Sequence, residues 1–167
     1  TGRGAYFWQG DVYTIFGNTL YRNGASVATG LDTTSGGTSG NGVYYFNQIK
    51  GAIPKLLLGN GSYSYAYTVA GGITADLNSI NIDYPVETVK GFSYLNGATY
   101  VMQTSNVIWG SAINSVSVAG DWTAINFITA QIEPDDGVAI NKQLVYVIAF
   151  NSWSTEVFFD AGNTTAS

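Results

Sequence analysis

Gly59-Asn60-Gly61-Ser62-Tyr63-Ser64-Tyr65-Ala66-Tyr67-Thr68-Val69 is the stretch that decides the fold class. Residues 62–69 alternate strictly. Tyr63, Tyr65, Tyr67 and Val69 fall on one side and small residues on the other, the period-two pattern of a strand. Gly59-Asn60-Gly61 supplies residues that tolerate positive φ, so it predicts a hairpin back to a strand over 53–58. Gly71-Gly72 ends the run.

The same grammar extends in both directions. Upstream, residues 5–8, 12–16 and 19–22 read as short strands separated by Gln9-Gly10, Gly17-Asn18 and Asn23-Gly24. Downstream, residues 91–95 pair with 99–103 around Asn96-Gly97, a strand follows at 106–109, and 144–150 pairs with 155–159 around Asn151-Ser152. The only helix-like stretch lies around 121–132, with a loop as the other reading. Segments beginning near Val12, Leu56, Thr99 and Leu144 share a theme of apolar strand, Asn/Gly turn and aromatic strand, with starts 44, 43 and 45 residues apart. A period of about 40–45 residues with short strands between turns is the pattern of β-propeller blades. The predicted fold is therefore all-β and propeller-like, with about four short antiparallel blades in a single domain over 1–167. A β-sandwich with evenly spaced strands is the alternative. Residues 32–42 are polar and glycine-rich and read as a flexible exposed loop between two sheets.

Composition narrows the chemistry. Of 167 residues, 46% are apolar, enough for a sizeable core, and only 10% are charged, against about 25% in an average globular protein. With no histidine and no cysteine, Cys/His zinc sites, a Ser-His-Asp triad, a cysteine nucleophile, thiolate or imidazole haem ligation and disulfides are all excluded. A net charge of −5 disfavours a broad grip on phosphate backbones. No apolar run reaches the roughly 18 residues of a spanning helix, and Thr1-Gly2-Arg3-Gly4 is not a signal peptide. The lack of an initiator methionine and the polar ending at residues 163–167 lead us to expect a processed or excised fragment.

Few residues invite a chemical role. Glu133-Pro134-Asp135-Asp136-Gly137 offers carboxylates for a calcium loop or a hydrolase pair, but lacks EF-hand spacing and has good turn chemistry. Glu156 sits in a strand and, if it points inward, needs a partner from a neighbouring strand or blade. Trp8, Trp109, Trp122 and Trp153 lie near strand ends, where exposed rings can stack on sugars. Packing is the commoner use of aromatic residues in strands. Asn60-Gly61-Ser62 and Asn163-Thr164-Thr165 match the glycosylation acceptor pattern, which bears only on a chain secreted by a eukaryote. No catalytic, cofactor-binding or metal-binding residue is assigned on these grounds, and no cofactor is called for.

Residues 106–163 are more specific. Trp109-Gly110-Ser111-Ala112-Ile113-Asn114 is followed by Asp121-Trp122-Thr123-Ala124-Ile125-Asn126-Phe127. Then come Ala130-Gln131-Ile132-Glu133-Pro134-Asp135-Asp136-Gly137-Val138, an apolar strand from Leu144 to Phe150, and Thr155-Glu156-Val157-Phe158 running on to Gly162-Asn163. This pattern resembles the packaged-DNA stabilisation (tail hub or nozzle) proteins of short-tailed bacteriophages. Gly17-Asn18-Thr19-Leu20-Tyr21-Arg22 is similar to one blade of that family. So are residues 86–103 with Phe92 and Asn96-Gly97, although Asn96 stands where an Asp is usual. The family's proteins are considerably longer, so the chain looks like their propeller region or part of it.

The resemblance implies a structural, non-enzymatic virion component of the phage neck or tail. It implies a homo-oligomeric ring, typically six-fold, below the portal. That ring contacts the portal and adjacent tail proteins, extends the channel and helps retain packaged DNA without reading its sequence. No membrane association is implied. A wall of net negative charge is then expected to repel phosphates and let the genome slide. Contact loops are expected at 32–42, 71–82 and 110–122. A carbohydrate-binding module or phage receptor-binding domain is the alternative, and a glycoside hydrolase or lyase fragment using Glu133, Asp135, Asp136 or Glu156 is a further one.

Overall fold

The computed structural model describes residues 2–32, 42–130, 132–133 and 135–160. Strands fall into four antiparallel sheets, each a meander of consecutive strands. The first blade comprises β1 (Gly2–Trp8), β2 (Asp11–Phe16), β3 (Thr19–Arg22) and β4 (Ala25–Ala28). The second comprises β5 (Tyr45–Ile49), β6 (Lys55–Gly59), β7 (Ser64–Thr68) and β8 (Gly72–Ile73). The third comprises β9 (Ser93–Leu95), β10 (Ala98–Met102), β11 (Val107–Ser111) and β12 (Trp122–Thr129). The fourth has β13 (Gly137–Gln143), β14 (Tyr146–Asn151) and β15 (Thr155–Phe159). The hairpin turns use the expected chemistry: Asn23-Gly24 and Asn96-Gly97 both take positive φ, which matches the twist of the strands they join. The recurrence near Val12, Leu56, Thr99 and Leu144 marks the second strand of each blade.

Blades stack face to face, and three apolar clusters fill the three junctions. Between the first and second blades, Tyr13, Ile15 and Leu20 meet Leu56, Leu58, Tyr65 and Tyr67, all buried. Trp8 and Tyr67 flank Tyr13 with ring centroids 5.5 and 5.7 Å away. Between the second and third, Ile49, Leu57 and Ala66 meet Phe92, Val101 and Trp122. Between the third and fourth, Leu95, Met102 and Ile108 meet Ile140, Val147 and Ala149. Each fully buried aliphatic side chain contributes about 1.5–3 kcal/mol. The alternation in 62–69 has a second meaning here. Tyr65 and Tyr67 face the first blade, while Ser64 and Ala66 are buried against the third. The small residues make room for the next blade.

One expectation needs correction. The helix-like stretch at 121–132 is the outer strand β12. Its apolar residues at Trp122, Ile125 and Ile128 imitate helical spacing. But Ile125, Phe127, Ile128 and Thr129 are β-branched or aromatic, and β12 pairs with β11 through Val107–Thr129, Ile108–Ile128 and Trp109–Phe127. The helix that does form is one turn, α1 (Leu77–Ile80), in the crossover from the second blade to the third. Residues 33–41 of the predicted polar loop lie outside the described residues.

The first strands of successive blades lie side by side and run in the same direction. Tyr44 N–H donates to Arg3 C=O (2.7 Å), and Tyr6 stacks on Phe46 (5.7 Å, interplanar angle 7°). Asn47 Nδ2 donates to Phe92 C=O (2.9 Å), and Lys90 and Ala139 form a parallel bridge. This is the arrangement of a propeller, with β1, β5, β9 and β13 around the axis. Among the described residues no apolar cluster joins the fourth blade back to the first.

Candidate functional site

The acidic stretch is a turn support. The Asp135 carboxylate accepts the Trp153 N–H (2.6 Å), the Ser154 N–H (3.0 Å) and the Ser154 hydroxyl (3.2 Å), which fixes the turn between β14 and β15. Asp136 C=O accepts the Ser152 N–H (2.9 Å), and Asn106 Nδ2 donates to Asp135 C=O. Glu156 does point inward. Its Oε1 accepts the Ile132 N–H at 3.0 Å, tying the crossover segment to the fourth blade. Glu133, Asp135 and Asp136 border an open hollow of about 550 Å³ with Ser105 and Asn106. Among the described residues no three acidic side chains converge as metal ligands would.

Three of the four tryptophans are committed to packing. Trp8 is buried at the first junction. Trp122 is buried edge-on to Tyr84 at 4.9 Å and donates Nε1–H to Val116 C=O. Trp109 packs on Phe127 and donates Nε1–H to Gln103. Only Trp153 stands free, 90% exposed on its turn. Asn60 cannot serve as a glycan acceptor in the folded chain: it is fully buried, donates Nδ2–H to Asp32 (3.0 Å) and accepts the Ser62 and Tyr63 N–H groups through Oδ1. Asn163 lies outside the described residues.

Loop 71–82 is anchored by Asp76, whose carboxylate accepts the Ser64 N–H (3.0 Å). Burial raises its pKa above the usual carboxylate value, with backbone hydrogen bonds opposing the shift. Loop 110–122 is anchored by Asp121, which accepts the Ser115 hydroxyl and the Val118 N–H, both at 2.7 Å.

Two surfaces remain open. Sequence reasoning missed both: the first is assembled from separate blades, and the second is open because its two blades end the stack. The first is an axial pocket of about 390 Å³, lined by Tyr6, Phe46, Gln48, Lys50, Tyr94, Asn141 and Lys142 together with Asn47 and Phe92. All four first strands or their immediate flanks contribute to it. It carries two ammonium groups and no carboxylate. The second is the pair of terminal blade faces. On the first blade Phe7, Val12 and Phe16 are 68%, 48% and 53% exposed, with Tyr21 edge-on to Phe16. On the fourth, Tyr146, Phe150, Val157 and Phe159 are exposed, the last two by 58% and 66%.

Comparisons with known proteins agree with the fold. The family model described as Phage_stabilise: Bacteriophage P22 Gp10, beta-propeller, matches residues 1–167, the whole chain. Among solved structures, the crystal structure of the computationally designed Ika4 protein superposes with a TM-score of 0.56 at 9% identity, covering 95% of this chain and 91% of that one. At that identity the likeness concerns the fold alone. No curated protein sequence matches.

Proposed function

We propose a specific station for this chain, which belongs to the Phage_stabilise family of bacteriophage P22 Gp10 β-propellers. Membership makes it a phage structural protein of a family that stabilises packaged DNA and associates with other virion components. Its station is the neck or tail of the virion. There it forms a homo-oligomeric ring that extends the channel below the portal, meets the portal and adjacent tail proteins, and helps retain the genome. It performs no reaction.

The observation that carries this reading is the pair of open apolar faces at opposite ends of one blade stack. The central strands β6, β7, β10 and β11 of the inner blades are largely buried on both faces, whereas Phe7, Phe16, Val157 and Phe159 lie bare on the outer two blades. Exposed apolar patches of this kind mark interaction surfaces. One is the leading face of the stack and the other the trailing face, so they suit head-to-tail contact between copies, which closes into a ring when the rotation between copies permits. The polar inventory supports the same role. Asp135, Glu156, Asp76 and Asp121 hold turns and crossovers in place. The fitting experiment is light scattering of the purified chain beside its Phe16→Asp and Val157→Asp variants, with mass spectrometry of purified virions. A closed oligomer that either charge disperses, and the chain's presence in virions, support the reading. A monomer absent from virions refutes it.

A further inference from the structure

The chain is acidic overall, but its charges are sorted along the propeller axis. The sorting follows from strand direction. At the end where β1, β5, β9 and β13 begin lie Asp32, Asp76, Glu87, Glu133, Asp135 and Asp136, with Arg3 and Lys90 as the cations among them. Asp32 meets Asn60 in the turn between β6 and β7, and Asp76 meets Ser64 at the start of β7. Glu87 C=O accepts the Thr104 N–H, and Asp135 meets Asn106. At the opposite end, where the same strands finish, lie Lys50, Lys55, Lys142 and Arg22.

The carboxylates at that second end are engaged. Asp11 pairs with Arg22 at 2.5 Å and accepts Asn23 Nδ2–H. Asp121 is held by Ser115 and Val118, and Asp160 lies against the Tyr100 hydroxyl. Lys55 donates to the Ser117 hydroxyl at 2.8 Å. Lys50 and Lys142 are exposed. Among the described residues neither has a carboxylate within ion-pair distance. Both border the axial pocket, one at the end of β5 and the other near the end of β13, with the amides of Gln48 and Asn141 and the rings of Tyr6 and Phe46 between them.

We propose that this lysine-bearing mouth of the axial pocket is the chain's contact with the phosphate backbone of DNA, and that the opposite, acidic end faces away from it. The proposal rests on the structural-virion reading above and names which surface of the ring subunit approaches the genome. The chemistry follows from the groups present. Unpaired ammonium ions attract phosphate oxygens through displacement of condensed counterions. Rings beside them offer stacking faces to an unpaired base at a DNA end. Two ammonium contacts make a weak, sequence-independent hold that salt loosens. A retained but ejectable genome requires a hold of that kind.

The test is fluorescence anisotropy of a short labelled DNA duplex and of the matching single strand, titrated with the purified 167-residue chain at several salt concentrations. Two phosphate contacts predict a log–log salt slope of about −1.8 for duplex and about −1.4 for single strand. The Lys50→Ala/Lys142→Ala double variant should lose that slope and bind on the order of tenfold or more weakly at low salt. Lys90→Ala, at the acidic end, should leave both unchanged. Absence of binding by the unmodified chain at low salt overturns the proposal. So does a double variant with unaltered slope, or an equal loss in Lys90→Ala. Both lysines are exposed, so the variants should fold, and matching thermal transitions confirm it. Binding to naked DNA is independent of virion incorporation, so failure here and failure of the virion assignment are read separately.

Discussion

Gly91 sits where the third blade docks on the fourth, and replacing it by alanine should cost far more than its surface position implies. Its φ is +91°, and an ideal Cβ would stand 2.5 Å from Ile140 C=O. That carbonyl cannot retreat easily. Ile140 N–H donates to Lys90 C=O at 2.9 Å, and Lys90 N–H donates to Val138 C=O at 3.3 Å, so the two backbones are laced together at this point. Forcing an L side chain into positive φ costs about 1–2 kcal/mol. Crowding a packed junction adds about 1–3 kcal/mol. The sum, about 2–5 kcal/mol, is a large part of a typical domain stability of about 5–15 kcal/mol. Gly10→Ala is the matched control, because Gly10 has φ +88° but nothing within 4 Å of its Cβ position. It should show the backbone cost alone. In thermal unfolding the gap of about 1–3 kcal/mol between the variants becomes roughly 2–12 °C for a chain of this size. A Gly91→Ala variant no less stable than Gly10→Ala would refute the interblade docking described here.

Three further outcomes are expected. Asp135→Ala leaves the Trp153 and Ser154 N–H groups without their acceptor; it should cost about 1.5–3 kcal/mol, and hydrogen exchange should quicken at those two amides. Asn60→Ala removes one donor and one shared acceptor supplied by a fully buried side chain and should cost about 2–3 kcal/mol in urea unfolding. The Asp11 carboxyl is held below its ordinary value of 3.8, first by its hydrogen bond to Arg22 and then by Asn23. A lowered folded-state value contributes stability above the unfolded value and loses it as pH falls through the folded one. Unfolding midpoints from about pH 6 to about pH 2 should therefore fall more steeply in the parent chain than in Asp11→Asn, and parallel curves would count against the pair.

Much of the architecture was legible because local chemistry and tertiary demand coincide in it. Asn23-Gly24 and Asn96-Gly97 specify their turns through φ alone, and the spacing of the second strands exposed the blade period. The stretch at 121–132 misled because an outer strand need not alternate. Its side chains face a single blade and solvent, so apolar residues can fall at helix-like intervals. The alternation at 62–69 separates tyrosines from small residues but does not show that Ser64 and Ala66 are buried on the second side. A small residue in a strand does not announce the large neighbour it makes room for. Asp135 and Glu156 were recognisable as turn and partnered residues, but their acceptor roles depend on atoms about 20 residues away. The axial pocket was invisible for a similar reason: Tyr6, Gln48, Tyr94 and Lys142 come from four blades and share no motif. Net charge gives no sign of it, since the sum says nothing of where individual charges gather.

The account stands on a stack of aromatic-cored blades that works as a rigid component of a virion ring. Electron cryomicroscopy of purified virions that carry this chain tests it most directly. The account predicts a symmetric ring of propeller-like subunits at the neck or tail, with neighbouring copies seated on the faces bearing Phe16 and Val157 and the Lys50–Lys142 mouth turned towards the DNA. Virions lacking the chain, or isolated subunits with both faces open to solvent, would contradict it.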